Sequence, residues 1–285
     1  MAVDPKAYES SVENAWCPGC GNFGILAALK NALVELERAP HEVLICTGIG
    51  QAPKLPHYLN VNTLNGLHGR EVATAAAAKL AAADLTVLVH GGDGGIYGEG
   101  GNHLLHNIRR NIDMTVCVHD NKVYGLTKGQ ASPTTPAGAP GPIDPHGVLA
   151  QQLNPLALAI SQSCSFVAQS MSARRDHLVA MLKAAIRHPG FSLLNVLQPC
   201  VSWDKTHTYA YYQKHCYELE PDYDPTDRMA ALARVLEESE RIPLGVLYQQ
   251  TRPTFDAQIL ADRHQPLRDA KLRPEVVCRL LEELK

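Results

Sequence analysis

Leu85-Thr86-Val87-Leu88-Val89-His90-Gly91-Gly92-Asp93-Gly94-Gly95 decides the fold: an apolar, β-branched run breaks into glycines around a single acid. Such a run reads as a buried strand, and the Gly-Asp-Gly after it as the loop at its carboxyl end. The same grammar recurs. Residues 113–119 (DMTVCVH) run into Asp120-Asn121-Lys122-Val123-Tyr124-Gly125, and residues 191–198 (FSLLNVLQ) run into Pro199-Cys200. Upstream, residues 42–46 (EVLIC) end just before Gly48. Helical spacing separates these strands, over 68–83, 98–110 and 174–187. Strands alternating with helices predict an α/β domain, a mostly parallel sheet with helices on both faces. Ligands of such sheets bind at the carboxyl ends of the strands, where Gly, Asp, Asn and Cys concentrate here.

Working outward, Phe23, Leu26, Leu29, Leu33 and Leu36 recur at spacings of three and four, which predicts an amphipathic helix over 22–37. The alanine-rich stretch 72–83 reads as a closely packed helix. Residues 129–154 are rich in Pro, Gly and Ala, which excludes a helix or a central strand. A long segment of this kind is more often functional than idle. From Val201 the alternation fades into polar and aromatic text, with a helix over 227–239, a strand over 244–248 and a last short helix over 275–284. The expected organisation is a catalytic domain over 1–205, opening on a Cys-x-x-Cys segment, and a tail or subunit-contact region over 206–285.

The 285 residues are 45% hydrophobic and 19% charged, enough apolar material for a sizeable core. A net charge of -3 excludes a broad basic footprint for nucleic acid. No apolar run approaches the ~20 residues of a membrane span. The first residues lack a basic stretch followed by an apolar one, so a secretory signal is not expected and a cytoplasmic protein is. Eight cysteines without such a signal do not suggest a disulfide scaffold. Those inside apolar runs, such as Cys117, read as small core residues.

Asp93 and Asn121 fall at adjacent strand ends. A carboxylate and an amide oxygen there can share one Mg²⁺, a hard cation that keeps places for a diphosphate. Glycines beside the acid let backbone amides approach phosphate oxygens. The competing reading is two ordinary strand-capping turns.

The wider motifs carry a resemblance. Trp16-Cys17-Pro18-Gly19-Cys20-Gly21-Asn22-Phe23-Gly24, Thr47-Gly48-Ile49-Gly50, Leu67-His68-Gly69-Arg70, Gly91-Gly92-Asp93-Gly94, the run from His119 to Thr134 and Gln198-Pro199-Cys200 occur in order. Together they resemble the β subunit of 2-oxoacid:ferredoxin oxidoreductases, over residues 12–205, with a weaker match at Arg252-Pro253-Thr254-Phe255. The resemblance implies a thiamine diphosphate-binding fold. It also implies that Asp93, Asn121 and the Val123 carbonyl hold Mg²⁺, and that Gly92 and Gly94 line the diphosphate. Gly48, Ile49, Gly50, His68, Gly125 and Leu126 would lie near the cofactor. His68 would contact a phosphate or a reacting oxygen, or only cap a helix. Lys54 would pair with a substrate carboxylate, or be a solvated loop lysine.

Cys17 and Cys20 have a spacing suited to iron–sulfur or zinc ligation. The resemblance implies a [4Fe–4S] cluster on Cys17, Cys20 and Cys200, but its remaining cysteine is replaced here by Gln51. Cys46, five residues earlier, falls inside a strand. Three outcomes follow: a cluster completed by Gln51, Cys46 or another group; a three-iron or labile form; or structural or zinc-binding thiols. Three retained ligands favour the bound cluster.

The implied activity is oxidative decarboxylation of a 2-oxo acid, pyruvate or 2-oxoglutarate, to acyl-coenzyme A and CO₂, with electrons leaving through iron–sulfur to ferredoxin. An α subunit is the implied partner, because no glutamate for cofactor activation can be placed in this chain. The alternative is a non-oxidative thiamine diphosphate-dependent lyase lacking the cluster.

Overall fold

The computed structural model describes residues 3–237, 241–261, 267–269 and 274–284. Its centre is a run of strands that are buried along most of their length. These are β1 (Val43–Thr47), β3 (Thr86–Gly92), β4 (Met114–Asp120), β7 (Phe166–Met171) and β8 (Phe191–Leu197). Together with β2 (Asn62–Asn65), β9 (Cys216–Glu218) and β10 (Ile242–Gln249), they form an eight-stranded sheet of order β2-β1-β3-β4-β8-β7-β10-β9. The pairs from β2 to β7 are parallel, and β10 lies antiparallel to β7. Two short strands, β5 (Val123–Tyr124) and β6 (Gln130–Ala131), form a separate antiparallel pair.

Strand residues alternate between two cores, because successive side chains leave opposite faces. Val43 and Ile45 of β1 pack with α1 (Asn22–Glu35), α5 (Arg175–Arg187) and the 3₁₀ segment Ala52–Tyr58. Leu44 and Cys46 pack on the other face. There the helices are α2 (Glu71–Ala81), α3 (Gly101–Arg110), α4 (Pro155–Ser161) and α7 (Arg228–Leu236). Each fully buried aliphatic side chain contributes about 1.5–3 kcal/mol, so both faces hold the sheet. The chain leaves β1 toward the α1 face and leaves β3 toward the α3 face. The two exits open a crevice at the carboxyl ends of adjacent strands.

The α/β architecture and the strands and helices expected up to residue 197 are present. One expectation is corrected in part: α1 buries Leu29 and Leu33 of the expected stripe together with Ile25, Ala28 and Ala32, and Leu26 packs at the margin of that core, while Phe23 does not join it. Phe23 is 40% exposed and instead stands edge-on to Trp16, with ring centroids 5.4 Å apart. The segment after residue 205 adds α6 (Tyr209–His215), β9, α7 and β10, followed by α8 (Phe255–Leu260) and α9 (Pro274–Glu283). The last two residues of the helix expected over 227–239 lie outside the described residues. The motif Arg252-Pro253-Thr254-Phe255 folds onto the end of α3, where Asn111 Nδ2 donates to the Arg252 and Pro253 carbonyls at 3.1 and 3.3 Å. Among the described residues no helix is long and apolar enough to cross a membrane.

Candidate cofactor site

The crevice contains a cavity of about 170 Å³ built from three loops. Ile49, Gly50 and Gln51 follow β1; Gly92, Asp93 and Gly94 follow β3; Asn121, Val123, Gly125 and Leu126 follow β4. His68 joins them from the turn before α2. Eleven of the residues singled out from the sequence thus line one space. Gly48 and Lys54 are not in that lining. Lys54 is half-buried within Ala52–Tyr58, and Gly48 stands against the Glu71 carboxyl.

Asp93 is 1% exposed. Its Oδ2 accepts from the Ser132 hydroxyl at 2.5 Å and from the Thr134 hydroxyl at 2.7 Å. Thr134 Oγ1 also lies 2.8 Å from Asp120 Oδ1. One hydroxyl proton cannot serve two carboxylates, so a second proton belongs between them. Burial and the neighbouring Asp120 push the Asp93 carboxyl upward, in the same sense. Asn121 Oδ1 accepts from the Val123 N–H at 3.1 Å. Lys122 closes that turn at a φ of 61°, a left-handed conformation that non-glycine residues rarely adopt.

The glycines have separate reasons. At Gly92 a Cβ would meet nothing within 4 Å, so the open side of this loop is available to a ligand. At Gly94 a Cβ would stand 2.2 Å from the Tyr124 ring. Residues Gly94–Glu99 wind as one π-helical turn, a form common at functional sites. A buried carboxylate beside an amide and a backbone carbonyl is an all-oxygen donor set, which suits Mg²⁺. The open glycine face suits a diphosphate.

Several side chains here are not legible in the sequence. Glu71, fully buried, has both carboxyl oxygens without a hydrogen-bond partner, and burial pushes its carboxyl upward. It occupies the space that Cβ atoms at Gly48, Gly91 and Gly95 would need. Under the strand ends, His90 Nδ1 lies 3.0 Å from His119 Nε2, and His119 Nδ1 lies 2.8 Å from Asn22 Oδ1. The amide oxygen fixes a proton on His119 Nδ1, so His90 donates to His119 and both rings are neutral. Burial depresses both, His90 to about 3. A second cavity, about 590 Å³, shares Asp120, Lys122 and Thr134 with the buried network.

Cys17, Cys20 and Cys200 neighbour one another near the amino end of α1, close enough for Cys200 and Cys17 to act on the Cys20 thiol. Cys17 and Cys20 are joined by a turn, Cys20 N donating to Cys17 O at 3.0 Å. Gln198 Nε2 donates to Cys20 Sγ at 3.5 Å and Ser202 Oγ to Cys17 Sγ at 3.2 Å. Burial pushes the Cys20 thiol up to about 11, with lesser contributions from Cys200 and Cys17. Trp16 Nε1 donates to the Gln51 carbonyl at 2.8 Å, which fastens the Gln51 loop beside this segment. Gln51 Oε1 is buried without a partner. Cys46 is a core thiol, fully buried and pushed up to about 12. All eight cysteines are free. Three neighbouring thiols are the soft donors an iron–sulfur centre uses, whereas the fourth corner has no thiol.

Residues 46–196 match the family model described as thiamine pyrophosphate enzyme, C-terminal TPP binding domain. Residues 200–262 match the model for the C-terminal part of the pyruvate ferredoxin oxidoreductase beta subunit. The chain is 45% identical over 269 residues to subunit beta of 2-oxoacid:ferredoxin oxidoreductase 1 from Aeropyrum pernix, covering 90% of this chain and 85% of that one. It is 42% identical over 263 residues to the beta subunit of the 2-oxoacid:ferredoxin oxidoreductase of a Sulfolobus species, covering 87% of this chain and 86% of that one. A solved 2-oxoglutarate:ferredoxin oxidoreductase from Magnetococcus marinus, with 2-oxoglutarate, coenzyme A and succinyl-CoA bound, superposes with a TM-score of 0.90 at 32% identity. That match covers 98% of this chain and 96% of the solved one.

Proposed function

The chain belongs to the 2-oxoacid:ferredoxin oxidoreductase β subunits, and from that premise we propose that its crevice between β1, β3 and β4 holds thiamine diphosphate through Mg²⁺. The subunit serves an enzyme that oxidises 2-oxo acids, and the non-oxidative lyase reading is not favoured. The observation that carries the site is the buried Asp93 carboxylate, set beside Asn121 and Val123 at the open glycine loop.

In this reading Asp93, the Asn121 amide oxygen and the Val123 carbonyl hold the metal. Ser132 and Thr134 aim the Asp93 carboxylate by their hydroxyls, as outer partners of a metal ligand do. Backbone amides after Gly92 receive the diphosphate. Bound thiamine diphosphate supplies an electron sink for cleavage next to a 2-oxo group, and the protein supplies position and charge. Ile49, Gly50 and Leu126 wall the cavity. Cys17, Cys20 and Cys200 would hold an iron–sulfur cluster, which would supply electron transfer toward ferredoxin. The rest of the site comes from an α subunit, and coenzyme A accepts the acyl group. The Magnetococcus marinus structure, with its 2-oxoglutarate and coenzyme A, supports a 2-oxo acid and coenzyme A as ligands here.

The test is Asp93→Ala in the purified complex. Removing the charged metal ligand is expected to weaken cofactor retention by more than roughly 100-fold, since losing even an outer partner costs about 10–100-fold. Thiamine diphosphate content after gel filtration reads this directly. Retention equal to wild type would refute the site.

A further inference from the structure

Two side chains aim hydrogen-bond donors at cysteine sulfurs. Gln198 Nε2 donates to Cys20 Sγ at 3.5 Å, and Ser202 Oγ donates to Cys17 Sγ at 3.2 Å. Gln198 follows the last residue of β8, and its backbone N–H is fixed on the Asp120 carbonyl at 2.9 Å. Its Nε2 also donates to the Pro199 carbonyl at 3.0 Å, which puts the amide nitrogen, and not its oxygen, on the sulfur side.

The neighbours leave room for this contact and hold it. A Cβ at Gly21 would stand 2.7 Å from Gln198 Cγ and 3.1 Å from Nε2, so the glycine after Cys20 keeps the path of the amide open. From α6, the Tyr209 hydroxyl donates to the Gly19 carbonyl at 3.0 Å and ties down the turn between Cys17 and Cys20. Burial raises the Cys20 thiol, whereas the Asn22 backbone N–H and the Gln198 amide act in the opposite sense, as donors to a negative sulfur do.

We infer that Gln198 and Ser202 set the electron affinity of the centre on Cys17, Cys20 and Cys200 by donating hydrogen bonds to its sulfurs. This rests on those thiols holding an iron–sulfur cluster, as proposed above. A thiolate accepts more strongly than a thiol, so each donor would bond more tightly to a sulfur that is bound to iron. An added electron puts negative charge on the sulfurs, and donors there favour the reduced form. Gln198 is buried, so no water takes the place of its N–H when it is removed. Ser202 is exposed, and water can stand in for its hydroxyl. Gln198 is therefore the larger contributor. Both are positioning residues, acting on the centre through its cysteines.

The test uses the anaerobically purified complex with its α subunit and three variants: Gln198→Met, Ser202→Ala and Ser202→Thr. Iron content and a redox titration followed by electron paramagnetic resonance are measured on each. Gln198→Met keeps the side-chain volume and removes the donor. At the wild-type midpoint it is expected to lower the ratio of reduced to oxidised cluster about tenfold, which is about 59 mV for one electron. Ser202→Ala is expected to shift the midpoint the same way by less, and Ser202→Thr, which keeps the hydroxyl, to restore the wild-type value. Pulsed resonance of the reduced cluster before and after transfer to D₂O should show an exchangeable proton coupling that Gln198→Met loses. A full iron complement in Gln198→Met with an unchanged or raised midpoint would overturn the inference and leave the cluster standing. If Gln198→Met fails to hold iron, Ser202→Ala decides: a lowered midpoint supports the inference and an unchanged one overturns it. A wild-type complex with no iron on this chain would overturn the cluster and the inference together.

Discussion

Asp93 brings a carboxylate into a place that water does not reach, beside a second acid, Asp120. Its partners Ser132 and Thr134 lie about forty residues away, in the Pro- and Gly-rich stretch that excludes regular structure. This explains what is legible at this scale. Gly92, Asp93, Gly94 and Asn121 stand where strands end, and local spacing finds them. Ser132 and Thr134 reach Asp93 from a remote segment, and no periodicity marks them. Gln51 is the departure with a measurable consequence. In the proposed cluster site a neutral amide would stand where a thiolate closes the fourth corner, so a bound cluster would be less negative by about one charge, which would favour its reduced form. Gln51→Cys should lower the cluster potential and slow its loss in air. Iron content and a redox titration of both forms check this. An unchanged potential with four irons in each form would place another group at that corner.

At the scale of elements, the join between α3, β8 and the tail rests on Asn111. It ends α3 at a φ of 57°, accepts from Phe191 N at 3.0 Å through Oδ1, and donates to the Arg252 carbonyl at 3.1 Å. Asn111→Ala loses these bonds and strains the left-handed residue, at an expected cost of about 2–4 kcal/mol. Asn111→Gly relieves the backbone strain and should cost less, which thermal unfolding of the two variants would show. The join between β3, β4 and α1 is the neutral His90–His119–Asn22 chain. Both rings have folded-state values below the ordinary 6.5, His90 at about 3. The unfolded chain then binds more protons between these values, so stability is full above pH 6.5 and falls as the pH drops below it. The slope is up to about 1.4 kcal/mol per pH unit for each ring. His90→Asn keeps a donor toward His119 without a titrating ring, and its unfolding temperature should fall less between pH 7 and pH 5 than that of wild type. Apolar runs make β1, β3, β4 and β8 legible. Residues 166–171 escape because Gln169 and Ser170 interrupt the run, although both are buried. Spacing places helix α1 and the Leu29 and Leu33 part of its buried stripe but not Phe23, which stands edge-on to Trp16 at 40% exposure.

Across the whole molecule, the sheet buries both faces and leaves one end chemically active. The loops there expose Ile49, Leu67, Leu126 and Trp203, the last two by 43% and 42%. Large apolar side chains gathered around a cofactor crevice mark a surface that a partner covers. With no activating glutamate placed in this chain, catalysis is expected to need the α subunit. The measurement that tests it most directly is release of CO₂ from a 2-oxo acid labelled at C1, followed together with dye reduction, by the chain alone and by the chain co-purified with its α subunit. Only the complex is expected to release CO₂, with release depending on coenzyme A and the electron acceptor, and Asp93→Ala is expected to abolish both signals. CO₂ release by the isolated chain, or release from the complex with no electrons reaching the dye, would contradict it.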